Sequence, residues 1–158
     1  MQRFIVLFVF AIVCSMSAGA ASPNDEATAQ VTKFVDNFNK GDVKAARATH
    51  TENGVVIIDE VSPYIWQGHD SFKNWLDDLG KHDKALGITD GKLTLGTVTR
   101  VEVEGDRAYA VFPSAYTFKQ KGVAMKEAAQ MTFALRKTDG GWKINGWAFT
   151  GPAARPGQ

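Results

Sequence analysis

Cysteine is nearly absent from this chain: Cys14 is the only one in 158 residues. A single thiol excludes an intramolecular disulfide framework and any multi-cysteine zinc or iron–sulfur site. An excess of either charge is also missing, with 18 Lys+Arg against 17 Asp+Glu. Proteins that work by neutralising phosphates carry a basic surplus, so nucleic acid is not an expected partner. The same balance, at 44% hydrophobic residues, excludes intrinsic disorder, which needs low hydrophobicity and strong net charge. There is no phosphate-cradling glycine loop, no Gly-x-Ser-x-Gly elbow and no internal repeat. His50, His69 and His82 share no ligand-like spacing, so neither a metal nor a cofactor is expected. What remains is a single globular domain able to bury a real core.

Long apolar runs are confined to one place. Arg3 precedes the unbroken stretch Phe4–Val13, and Ala18-Gly19-Ala20 follows as a small-x-small site. This is the pattern of a secretory signal peptide over residues 1–20, and the run is short for a membrane-spanning helix. Val13 ahead of Cys14 is not the small residue that lipid attachment usually requires, so Cys14 reads as part of the removed segment. Export to the periplasm or beyond is therefore expected, with no stable membrane insertion afterwards. Residues 21–158 then carry equal numbers of acidic and basic side chains and no thiol.

Ser22-Pro23-Asn24-Asp25-Glu26 reads as a helix start, with a capping hydroxyl, an early proline and acids at the positive end of the dipole. Ala27, Val31, Phe34, Val35 and Phe38 then form one apolar helical face. Gly41 ends this helix and Asp42 caps a second, shorter one. Val55–Asp59 is a β-branched strand. Pro63 and Gly68 bracket a turn or short edge strand with Tyr64 and Trp66. A third helix, capped by Asp70 or Ser71, presents Phe72, Trp75, Leu76 and Leu79 and is expected to stop at Gly80. From Gly91 the period changes to two. Lys92–Glu104, Arg107–Lys119, Val123–Lys137 and Trp142–Thr150 read as long strands joined by glycine-containing turns, an antiparallel meander. Helices followed by a meander define an α+β domain. Gly151–Gln158, with two prolines and two glycines, is expected to be loose, so the domain is taken as 21–152 with a flexible tail over 153–158.

Three segments in this order resemble one family: Phe38-Asn39-Lys40-Gly41-Asp42, Trp66-Gln67-Gly68 ahead of the third helix, and Asp139-Gly140-Gly141-Trp142-Lys143-Ile144. Together they resemble the nuclear transport factor 2-like superfamily, in its SnoaL-like and ketosteroid isomerase-like branches, over about Ala27–Pro152. The resemblance implies a curved antiparallel sheet wrapped around N-terminal helices, a cone whose open end holds a pocket. It also implies a small, largely apolar ligand and a homodimer formed through the open face of the sheet. Members include isomerases, cyclases, dehydratases and adaptors, so the fold does not supply the reaction.

Asp59 lies nine residues before Gly68, the offset that the resemblance assigns to the general-base aspartate of ketosteroid isomerases. Desolvation at a pocket mouth would raise its pKa towards that of a working base. The isomerase partners, a tyrosine and a protonated aspartate, are not matched. Phe34 stands at the tyrosine position, and Gln130, Met131 and Thr132 occupy the third meander strand without an acid. Tyr116 or Trp147 offers a substitute donor. Phe112 and Tyr116 share strand parity with Ser114 and Phe118, and Trp147 shares a face with Phe149 unless a bulge intervenes. Tyr64, Trp66, Phe112, Tyr116, Gln130, Thr132 and Trp147 are accordingly the candidate ligand-binding residues, with Asp59 the candidate catalytic one. Phe34, Phe38 and Trp75 read as core. Three readings follow: a binder of a small apolar molecule, a cofactor-free isomerase- or cyclase-like enzyme, and a non-catalytic dimeric interaction module.

Overall fold

The computed structural model describes residues 22–157; the expected signal peptide, residues 1–20, lies outside the described residues. Three helices come first: α1 (Pro23–Asn39), α2 (Val43–Ala48) and α3 (Ser71–Leu86). Around them runs an eight-stranded sheet of β1 (Val56–Ile58), β2 (Ile65–Trp66), β3 (Ile88–Leu95), β4 (Arg100–Glu104), β5 (Arg107–Gln120), β6 (Val123–Thr138), β7 (Gly141–Thr150) and β8 (Arg155–Pro156). The strand order is β2-β1-β7-β6-β5-β3, with β4 also on β5 and β8 on β6. Every pairing is antiparallel except that of β1 with β7. The expected α+β cone is present.

Local chemistry sets the helix ends. The Ser22 hydroxyl accepts from the Asp25 N–H while the Asp25 carboxylate accepts from Ser22, a reciprocal capping box. Asp42 caps α2 through the Ala45 N–H at 2.9 Å. Helix α3 does not stop at Gly80. It continues to Leu86 and closes on Gly87 in the left-handed conformation, φ 67°. A mid-helix glycine costs only about 1 kcal/mol, which the packing of α3 on the sheet outweighs. Asp70 takes the N-cap position, as expected, but makes no side-chain capping bond, and the Ser71 hydroxyl accepts the Val55 N–H at 3.1 Å, tying α3 to β1.

The strand read as Lys92–Glu104 is two strands, β3 and β4. Opposite their junction sits Pro113 of β5, which has no N–H to donate; its carbonyl accepts from Gly96 at 2.7 Å. The end read as a loose tail is also paired. Arg155 and Pro156 lie beside Lys126 and Met125 of β6, and the Gly157 N–H donates to the Ala124 carbonyl at 2.9 Å.

The core fills the cone from its narrow end. Phe34 on α1 meets the ring of His50 edge-on at 4.8 Å and that of Trp147 at 5.9 Å, while Trp75 on α3 meets Trp147 edge-on at 4.9 Å. One inward row, Ile57–Trp147–Phe133–Ala110, crosses β1, β7, β6 and β5 in register, and all four residues are buried.

Candidate functional site

The wide end of the cone is not filled. A cavity of about 300 Å³ lies between the sheet, α1 and the second half of α3, within the range of small-molecule sites. Its wall is mostly apolar, with Phe34, Phe38, Trp75, Leu79, Leu93, Met131, Trp147 and Phe149. The residues read as core therefore serve both purposes, one ring face packing inward and another bounding the cavity. Ala153 and Ala154 close part of the wall from the paired C-terminal segment.

The polar groups converge on the mouth. Asp59 follows β1 directly; its Oδ2 accepts the Trp75 indole N–H at 2.6 Å and its Oδ1 accepts the Glu60 backbone N–H at 2.7 Å. Burial pushes the Asp59 carboxyl up, against the lowering effect of these hydrogen bonds and of nearby His82. Glu60 stands beside it, and His82 and Asp83 face it from α3. Burial also raises Asp83. Across the cone, Tyr116 points inward from β5, its phenol pushed up to about 12 by burial and by the surrounding carboxylates. Its hydroxyl rests against Gly91, where a side chain would collide with it.

Glu127 is the group the sequence reading missed. It lies on β6 directly opposite Tyr116, on the inward face shared with Met125 and Met131, and is 1% exposed. Neither carboxylate oxygen has a hydrogen-bond donor. Desolvation, followed by the facing Glu60 carboxylate and the charge of Asp59, pushes Glu127 up to about 8. At neutral pH it is accordingly a carboxylic acid whose proton can be shared with Glu60. The signal available was parity: counting back from Met131 in steps of two reaches Ala129 and then Glu127 on the inward face. His82 and Asp83 were missed because the third helix was ended at Gly80.

Of the residues proposed from sequence, Asp59, Tyr116 and Trp147 lie on the cavity wall. The other five do not. Tyr64 is 61% exposed in the turn before β2. Trp66 is buried against α3, donating its indole N–H to Asp78 at 3.0 Å. Phe112 points inward, but it packs deeper in the core against Phe133 at 6.0 Å. Gln130 and Thr132 alternate with the buried Met131 and Phe133 and so face outward. The bulge feared in β7 exists, since Ile144 pairs with Leu135 and Gly146 with Ala134, leaving Asn145 as the extra residue. Trp147 and Phe149 both lie beyond it and keep one face. His50 is buried, its ring against Phe34, and desolvation lowers it to about 3, so it is neutral. His69 belongs to a separate polar groove near Lys143. Among the described residues no group of three histidine, cysteine, aspartate or glutamate side chains is placed to hold a metal ion. No helix among them is long and apolar enough to cross a membrane.

A helix-filled cone with an open, acid-rimmed apolar end defines the class: a nuclear transport factor 2-like domain. The sequence profile of the SnoaL-like domain matches residues 24–148, and the chain belongs to that family. No curated protein matches it by sequence. Solved structures share the fold at low identity. A nuclear transport factor 2-like superfamily protein from Salmonella enterica is 16% identical with a TM-score of 0.68, over 83% of this chain and 92% of that one. A ketosteroid isomerase-like protein from Erwinia carotovora is 22% identical with a TM-score of 0.60, over 82% and 96%. A protein from Novosphingobium aromaticivorans with a cystatin-like fold is 20% identical with a TM-score of 0.64, over 80% of each chain.

Proposed function

We propose that this domain binds a small, largely apolar molecule in the wide end of its cone. The observation that carries the reading is the cavity of about 300 Å³ with aromatic and aliphatic walls and polar groups gathered at one side. Such a site orients a ligand through a few polar contacts and holds it by apolar burial. The family includes both binders and enzymes, so the activity depends on the polar groups rather than on the fold.

One observation favours a second, catalytic reading. Asp59 is half-buried, raised by desolvation and anchored by the Trp75 indole, which suits a general base that must be ionised yet basic. The Tyr116 hydroxyl, opposite, supplies a hydrogen-bond donor for a developing oxyanion. In that reading the chain shifts a proton on a carbonyl-bearing substrate without a cofactor.

Asp59→Asn separates the two. Calorimetry with an apolar ligand is expected to show binding retained in the variant, because the apolar part of the wall is unchanged. If the wild type turns over a ketone or polyketide substrate, the variant should lose it by about 100-fold or more. Equal turnover by both proteins refutes the base assignment, and a wild-type protein that binds no apolar probe refutes the pocket reading. Self-association through the outer face of the sheet belongs to the same proposal, supported by exposed Val56, Ile58 and Ile65 on β1 and β2.

A further inference from the structure

The charge at the cavity is of one sign. Asp59, Glu60 and Asp83 lie on its wall, and Glu127 sits buried behind Glu60. No lysine or arginine is among the described residues that line it, and His82 is the only basic side chain there. Two lysines close in sequence to lining residues are engaged elsewhere: Lys81 pairs with Asp78 at 2.9 Å and Lys119 with Asp90 at 2.9 Å. A buried carboxyl group normally has a cation or a set of N–H donors. Glu127 has neither.

We propose that the ligand of this cavity is a hydrophobic monocation, an amine whose ammonium group seats among Asp59, Glu60 and Glu127 while its apolar body lies against Trp147 and Met131. This rests on the pocket reading above and narrows it to one ligand class. An ammonium relieves the repulsion between the Asp59 and Glu60 carboxylates on the wall and favours ionisation of the donorless Glu127 buried behind them. The rings of Trp75, Trp147 and Tyr116 on the cavity wall add cation–π attraction. The acids are not gathered as a metal-ligand group, and the cavity beside them is apolar and far larger than an ion. Both features fit an organic cation better than a bare metal.

The test uses three probes of nearly equal shape: 1-naphthylmethylamine, 1-naphthalenemethanol and 1-naphthoate, titrated into the intact protein at neutral pH. The amine is expected to bind about tenfold tighter than the alcohol, from one charge-assisted contact in a partly desolvated site. The carboxylate should bind weakest. Glu60→Gln, at an exposed position that does not threaten folding, should cut the preference for the amine several-fold and leave alcohol affinity unchanged; Glu127→Gln should do the same. An amine that binds no tighter than the alcohol overturns the cation assignment while the apolar pocket stands. Absence of binding by all three overturns the pocket reading itself. An amine preference unaffected by both variants overturns the seat assigned to the ammonium.

Discussion

Glu127 and His50 are buried titratable groups that resist ionisation in opposite directions. Glu127 is pushed from an ordinary 4.5 up to about 8, so the folded state holds its proton where the unfolded chain has lost it. Stability from this group is complete below pH 4.5 and declines as pH rises towards 8. His50 is lowered from 6.5 to about 3, so the unfolded chain binds the proton that the folded core refuses. Its contribution is complete above pH 6.5 and is lost as pH falls towards 3. Between 4.5 and 6.5 the two slopes cancel, and the pair predicts a stability plateau there, falling on both sides. Urea midpoints measured from pH 4 to 9 check it. Glu127→Gln should flatten the alkaline side, with a gain of about 1–3 kcal/mol at the high end. An unchanged alkaline slope would show that Glu127 is not the group responsible. The identities of these residues were legible in the sequence, but their burial was not. Glu127 stands among Lys126, Ala128 and Gln130, a stretch that reads as solvated until its alternation is aligned with Met131.

The elements show how far local rules reach. The capping box of α1, the Asp42 cap and the strands β5, β6 and β7 follow from side-chain chemistry and period within one or two residues of the reading. Two errors have a tertiary cause. Helix α3 runs past Gly80 because it packs along the sheet, and the C-terminal segment is ordered because the edge of β6 near Met125 offers it free backbone groups. Asn39 shows the converse, a residue of a recognised motif whose role only the fold reveals. Its amide donates to the Leu93 carbonyl at 2.8 Å and accepts from the Leu93 N–H at 2.9 Å, pinning the end of α1 to β3. Asn39→Ala breaks both bonds and leaves a strand N–H and C=O without partners. The expected loss is about 1–3 kcal/mol in denaturant unfolding. Asn39→Asp should retain the acceptor and lose less; equal stability of Asn39→Ala and the wild type would remove the pin from the account of the fold.

At the scale of the molecule, one sheet has two faces with different work. Its concave face holds the core and the cavity. On its convex face, Ile58, Ala148, Thr132 and Val111 lie in one cross-strand row, and Val56, Gly146, Ala134 and Tyr109 in the next. These rows carry no charge from β1 to β5 and end on β4 in the Arg100–Glu102 ion pair at 2.8 Å, and Gln130 joins Thr132 on this side rather than in the pocket. Gly146 permits the close approach of β1, since a Cβ there would stand 3.1 Å from the Val56 carbonyl oxygen. A sheet face with an uncharged centre of this kind suits a second copy of the chain. Sedimentation is expected to show a dimer, and Val56→Glu, which places two like charges near a two-fold axis, should yield monomers that still bind an apolar probe. A wild-type monomer at every concentration examined would dismiss the interface.

The sequence by itself determined the α+β class, the family, most element ends and the shared faces of Tyr116 with Phe118 and of Trp147 with Phe149, because caps, turns and period-two alternation act between residues close along the chain. Tertiary structure decided which inward residues bound a cavity and which fill the core. It also decided that His82 and Asp83 reach the mouth and that Glu127 is buried without a donor. Those facts depend on sheet curvature and on how far α3 extends, which are set by packing between segments distant in sequence.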